Sequence, residues 1–311
     1  MKILFMGTPA FAVPSLCNLA ESSHDVVAVI TNPDRPKGRG RKTYPPPVKQ
    51  AALQLDLPCL QPQSLKDSEL HGVLSDFKCD LFVVVAFSIL PSKLLTIPQM
   101  GAINLHPSLL PAYRGAAPIV WALFNGEHET GATTFLLNPR VDAGDILLQE
   151  HVAIGPEETA GELEDRLAKI GGALVVKTVD ALQRKDIQPY PQKAEGVSKA
   201  PKLSKEDGRL QWSRTSEVIR NRIRGANPVP GAFSTWRKDE IIKIHRARIY
   251  GGDSSGNAGT VLASDNDRGL VIATGNGALI LDEVQPAGRK CMSGKSFLRG
   301  YNVKVGDQFG A

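Results

Sequence analysis

Residues 80–87, Asp-Leu-Phe-Val-Val-Val-Ala-Phe, offer almost no polar side chain to water. A run so uniform in β-branched and aromatic residues suits a strand covered on both faces, as in a parallel sheet flanked by helices. A sheet with one wet face would alternate instead. The neighbouring segments agree. Lys2–Gly7, Asp25–Thr31 and Gly101–His106 are further apolar runs, Pro14 opens a helix through about Glu21, and Pro46–Leu55 has helical spacing. A helix at about 117–125 precedes strand signals at 131–138 and 145–153. Thr159 and Glu162 then form a capping-box pattern ahead of Leu163, Leu167, Ile170 and Leu174, which predicts a helix to about Arg184. This alternation predicts an α/β fold with a doubly wound parallel sheet.

Beyond residue 185 the pattern changes. Residues 186–204 hold three prolines, mixed charges and no apolar period, the marks of a linker. Short strands with Gly-rich turns follow, at 231–236, 241–249, 259–263, 269–273 and 278–284, with helices near 216–225 and 293–298. Strands of this number and length predict a small OB-like β-barrel. The expected division is therefore a first domain at 1–187, a linker at 188–204 and a second domain at 205–311. With 42% apolar and 22% charged residues in 311, each half can bury its own core.

No apolar run approaches the roughly 20 residues of a membrane span, and the first residues read as a strand rather than a leader. Cys17, Cys59, Cys79 and Cys291 are widely spaced, which argues against a zinc site or disulfide framework and for a reducing, cytoplasmic setting. Charge is uneven. Residues 201–311 carry 18 Lys/Arg against 11 Asp/Glu, whereas residues 1–200 carry 19 against 21. The basic second half either holds a polyanion or serves as a solubility surface.

The first strand ends in Gly7-Thr8-Pro9-Ala10-Phe11-Ala12, which is not a dinucleotide fingerprint. A ligand should still sit beyond the carboxyl ends of the strands. Residues 86–91, 104–115 and 138–145 are placed to reach that edge. Asn104 and His106, two apart at a strand end, share one face of the sheet. Asp142 lies in the third segment. An amide donor, an imidazole and a carboxylate are the parts that acyl transfer to an amine requires: two to stabilise a developing oxyanion, one to orient the imidazole and relay a proton. The same residues also suit a structural histidine and an Asx-turn, and nothing in the sequence brings 142 to 106. No Ser or Cys is evidently placed as a nucleophile.

The run Asn104-Leu105-His106-Pro107-Ser108-Leu109-Leu110-Pro111-Ala112-Tyr113-Arg114-Gly115-Ala116-Ala117-Pro118-Ile119 resembles the signature of the folate-dependent formyltransferases. Further matches lie at residues 3–9, 31–41, 203–209 with Trp212, 223–232 and 278–286, so the resemblance spans the chain. It implies a Rossmann-like formyltransferase domain before the barrel, with Asn104, His106 and Asp142 as catalytic residues. It implies 10-formyltetrahydrofolate as formyl donor, held by Phe87, Ser88, Ile89, Leu90, Ser108, Leu109, Leu110 and Pro111, and no metal. Two stretches depart from the family's pattern: Ser88 stands where glycine is common, and Asn138-Pro139-Arg140-Val141 replaces a more usual stretch.

Residues 32–42, Asn-Pro-Asp-Arg-Pro-Lys-Gly-Arg-Gly-Arg-Lys, are by themselves either a solvated loop or a segment that orders on phosphates. In the helix near 216–225, Arg220 and Arg224 share a face while Arg222 points elsewhere. The resemblance implies initiator methionyl-tRNA as the acceptor, contacted by Arg35, Lys37, Arg39, Arg41 and Lys42. Arg209, Arg220 and Arg224 are further candidates, and the expected state is a monomer. A formyltransferase acting on a small amine and a non-catalytic RNA-binding protein are the competing readings. Relatives with small acceptors need no basic 32–42 loop, and the shortest lack a C-terminal barrel.

Overall fold

A computed structural model describes residues 1–37, 42–237 and 240–310. The run at 80–87 forms the strand Leu81–Val85, with all five residues buried. It pairs in parallel with Lys2–Gly7 on one side and Ala102–His106 on the other. Among the described residues the sheet order is Ile146–Ala153, Glu129–Leu136, Ala102–His106, Leu81–Val85, Lys2–Gly7, Asp25–Ile30 and Cys59–Leu60. From Ala102–His106 outward to Cys59–Leu60 every pairing is parallel. The other two pairings are antiparallel, so the sheet is mixed rather than wholly parallel. Parallel pairing needs a crossover of a dozen or more residues. The short turn-back from Leu136 to Ile146 has no helix in it and can only return antiparallel.

One face of this sheet carries Leu4, Met6, Ala28, Phe82 and Val84 against Leu70, Leu74 and Leu94. The intervening positions Ile3, Phe5 and Val83 are fully buried as well, as a sheet covered on both sides demands. The expected capping box forms: Glu162 Oε2 accepts from the backbone N–H and hydroxyl of Thr159, at the start of the helix Ala160–Arg184.

The second sheet is antiparallel, in the order Phe233–Trp236, Glu240–Ile249, Ala278–Pro286, Gly269–Ala273 and Val261–Asp265. Its two outer strands both find partners in the C-terminal residues. Gly310 N donates to Thr235 O, and Val261 N donates to Asp307 O, each at 2.9 Å. The C-terminal residues thus bridge from one outer strand to the other, as the expected barrel requires. Trp236, Phe297 and Phe309 fill it, each 2% exposed or less, with the Trp236 and Phe309 rings stacked. The helix Ser216–Gly225 starts where expected, capped by the Thr215 hydroxyl.

The two compact units are not contiguous in sequence. One comprises Met1–Pro118, Glu129–Ala153 and Glu164–Ala200; the other comprises Ile119–His128, Ile154–Leu163 and Pro201–Ala311. The division expected at 187 and 205 is contiguous, whereas these two units interleave in sequence. Phe124, with Val120 and Trp121 beside it, packs into the core built by Leu210, Ile219 and Ile223, so the insertion 119–128 belongs to the second unit. Residues 190–200, expected as linker, belong to the first unit, where Tyr190, Gln192, Ser198 and Ala200 make hydrogen bonds. Among the described residues no helix is long and apolar enough to cross a membrane.

Candidate active site

Asn104 and His106 stand on the strand Ala102–His106, beside Val84 and Phe135 and beside Thr133 respectively. Asn104 donates one side-chain N–H to Val84 O at 3.0 Å. A primary amide has two, which leaves the second for the cavity that Asn104 lines. His106 is 5% exposed, and its Nε2 lies 2.9 Å from Tyr113 O. A carbonyl only accepts, so Nε2 carries the proton of the neutral ring and Nδ1 is bare. Burial lowers the His106 pKa below the ordinary imidazole value, while the charge of Asp142 and the Tyr113 carbonyl oppose that fall.

Asp142 arrives on the turn-back between Leu136 and Ile146 with φ of 49°, in the left-handed region. Its Oδ2 accepts from Gly115 N at 2.9 Å and lies 3.9 Å from His106 Nδ1. The structure therefore joins the two residues that spacing alone could not. The geometry depends on two glycines. A methyl on Gly144 would lie 1.6 Å from Leu136 O, and one on Gly115 would lie 2.4 Å from Ala200 O. Either would push the turn off its support.

An open cavity of about 510 Å³ lies at the carboxyl ends of these strands, lined by Val84, Phe87, Ser88, Ile89, Leu90, Leu95, Asn104 and residues 137–142. Its walls are largely apolar, with Asn104 and Asp142 as convergent polar groups, a composition usual for small-ligand sites. Ile89, 75% exposed, and Val141, 55% exposed, stand at its rim. His106 sits behind the wall rather than on it. Of the expected donor-binding residues, Phe87, Ser88, Ile89 and Leu90 line the cavity.

Ser108, Leu109, Leu110 and Pro111 do not, because that loop is turned inward. The Ser108 hydroxyl donates to Ala112 O, and Leu110 N donates to Thr133 Oγ1. These residues build the loop that carries Tyr113. Leu95 and Gln192 were not singled out from the sequence. Gln192 donates to Asp142 O and Gly144 O and accepts from Arg114, yet it lies in a polar, proline-containing stretch with no periodic signal.

The basic residues divide. Arg35 is exposed on the strand Arg35–Lys37, which pairs with Lys42–Tyr44 in a small hairpin. Lys37 and Lys42 are opposite each other in that ladder, while Arg39 and Arg41 lie outside the described residues. The hairpin's base is tied by Asp34, which bonds Lys49 at 2.8 Å and Gln61 at 2.7 Å. Lys49 and then Gln61 hold the Asp34 carboxyl below its usual range. Arg209 remains half-exposed, pairing with Glu206 and lying over the Phe233 ring.

Arg220 and Arg224 are not presented to solvent as a shared outer face would require. Arg224 is 5% exposed and donates to Asn221 and to Gly155 O. The Arg220 side chain is 16% exposed and faces Glu157 at 3.4 Å. Arg222, expected to point elsewhere, lies over the Phe124 ring and donates to Asp207 O. Buried guanidinium groups need such acceptors, and here the acceptors are internal.

Residues 1–179 match the family profile described as formyl transferase, and residues 202–302 match that of the formyl transferase C-terminal domain. The chain belongs to the formyl transferase family. Among full-length relatives, the methionyl-tRNA formyltransferase of Moorella thermoacetica is 46% identical, covering 100% of this chain and 99% of its own. That of Citrifermentans bemidjiense is 44% identical over 100% and 96%. The solved structures agree in fold. WlaRD, a sugar 3N-formyl transferase, superposes with a TM-score of 0.68 at 19% identity, over 93% of this chain and 99% of its own. The N-formyltransferase of Helicobacter canadensis does so with a TM-score of 0.67 at 18% identity, over 93% and 100%. This formyl transferase is an enzyme, and its matched N-terminal region includes the cavity lined by Asn104 and Asp142.

Proposed function

We propose that this enzyme, acting as a cytoplasmic monomer, transfers the formyl group of 10-formyltetrahydrofolate to the α-amino group of methionyl initiator tRNA, making N-formylmethionyl-tRNA for translation initiation. The observation that carries this reading is full-length identity of 41–46% with enzymes named for that reaction. The cavity supports it: Phe87, Leu90, Leu95 and Leu137 suit a flat ring system, and Asn104 and Asp142 supply polar groups beside it. The donor, when bound, supplies an activated formyl carbon.

An α-amino group has an ordinary pKa of about 7.7–8.0, so much of it is neutral near pH 8 and can attack without a strong base. Asn104 directs its free N–H at the formyl oxygen, where negative charge grows during attack. The proton released by the amine passes to the Asp142–His106 pair. His106 can take it only at Nδ1, because Nε2–H is held by Tyr113. The imidazolium so formed faces Asp142 and adds its positive charge beside the growing oxyanion, and the same proton can return to the departing nitrogen.

Arg35, Lys37 and Lys42 on the hairpin strands, Arg39 and Arg41 between them in sequence, and Arg209 on the second unit are assigned to tRNA phosphates. Arg220 and Arg224 instead hold residues 155–157 against their own helix. For the double variant Arg39→Ala/Arg41→Ala, the log–log salt dependence of tRNA binding should flatten by up to about two phosphates, each worth roughly 0.7–0.9 in slope. Its KM for tRNA should rise while that for the folate stays near the parent's. Titrations at several salt concentrations check this, and an unchanged slope with unchanged kinetics would remove the hairpin from the acceptor site.

A further inference from the structure

We infer that Gln192 is a positioning residue that sets the Asp142–His106 geometry, with residues 190–200 acting as a strap around the site; this rests on the reaction proposed above. Its amide is fully used. Nε2 donates to Asp142 O at 2.9 Å and to Gly144 O at 2.8 Å, while Oε1 accepts from Arg114 Nε at 3.0 Å and from Nη2 at 2.6 Å. The partners fix which end is which: carbonyls accept only and a guanidinium donates only. One half-buried side chain thus joins the loop that carries Asp142 to the loop that carries Tyr113.

The rest of the strap holds the same two loops. Tyr190 and Ile146 exchange backbone hydrogen bonds at 2.8 and 3.0 Å, just past the Asp142 turn. On the other loop, Tyr113 N donates to Ser198 Oγ at 2.8 Å and Arg114 N donates to Ser198 O at 2.9 Å. Lys199–Ala200 then pairs in parallel with Arg114–Gly115. His106 is anchored by Tyr113 O, and Asp142 by Gly115 N, so both anchors sit on backbone that the strap supports. Asp142 and Tyr113 both have positive φ, at 49° and 60°. Non-glycine residues keep such conformations only where their surroundings over-determine them. Gln192 supplies that constraint for Asp142, where a displacement of about 1 Å can cost about 100-fold in rate.

Two substitutions separate the roles of its two ends. Gln192→Met keeps the side-chain length and loses donor and acceptor alike. Gln192→Glu keeps the acceptor for Arg114 but turns a carboxylate toward the Asp142 and Gly144 carbonyls. Single-turnover formyl transfer is measured for each full-length variant, per folate-binding site titrated in the same preparation, together with both KM values and the thermal midpoint. The expected result is a fall of about 10- to 100-fold in the single-turnover rate for both variants. Folate KM should stay within about 2- to 3-fold and the midpoint should move by only a few degrees, since the hydrogen bonds of one half-buried side chain are worth little globally. A Gln192→Glu enzyme as fast as the parent would overturn the proposal, because tethering Arg114 would then suffice. So would variants whose loss disappears once activity is counted per titrated site. If the parent itself bound folate but formylated no methionyl-tRNA, the proposed reaction would fail instead, independently of position 192.

Discussion

The Asn104→Ala enzyme is expected to turn over about 10²–10³-fold more slowly than the parent, with tRNA affinity nearly unchanged. The loss should fall on kcat, because on the proposed mechanism the free N–H of Asn104 gains its full value only when charge has grown on the formyl oxygen. The variant should still fold. The substitution removes one hydrogen bond, to Val84 O at 3.0 Å, worth about 1 kcal/mol, and leaves the strand pairings to Val84 and Phe135 intact. Single-turnover kinetics beside a thermal melt make the comparison. Parent-like turnover in a folded Asn104→Ala protein would take Asn104 out of the reaction.

For Asp142→Asn the expected loss of turnover is about 10²–10⁴-fold, the range for removing a positioned acid–base group. Asparagine keeps the shape and can still accept from Gly115 N through its carbonyl oxygen, so the turn should hold. What disappears is the charge 3.9 Å from His106 Nδ1. That charge props up the His106 pKa against burial, so its removal should move the imidazole titration to still lower pH. The protonated ring then forms less readily when the amine must give up its proton. Imidazole titration by NMR reads the shift directly. An Asp142→Asn enzyme with parental rate and parental His106 titration would leave Asp142 a loop residue only.

Much of this was legible in the residues. The run at 80–87 announced a strand buried on both faces, and the period of two placed Asn104 and His106 together at its neighbour's end. The antiparallel turn-back was hidden, because a strand's own composition does not state its direction. Asp142 reaches His106 through that turn-back, so the pairing of 129–136 with 146–153 had to be seen before the two could be joined. A helix at about 117–125 was legible, but not that Phe124 belongs to the second core.

Gln192 was the least legible of all. A polar stretch with prolines reads the same whether it hangs free or is strapped down, since the difference lies in its partners. Arg224 shows the converse limit. An arginine on a regular helix looks solvated until the carbonyl that accepts from it, here Gly155 O, is known.

The most direct measurement follows the formyl group itself. Methionyl initiator tRNA is incubated with the enzyme and a donor carrying an isotopic label in its formyl carbon, and the esterified amino acid is analysed by mass spectrometry. Labelled N-formylmethionine on the tRNA is expected with the parent enzyme, and a rate lowered by about 10²–10³-fold with Asn104→Ala. An unlabelled methionyl ester, with the label instead on a small amine added in competition, would rule out methionyl-tRNA as the acceptor.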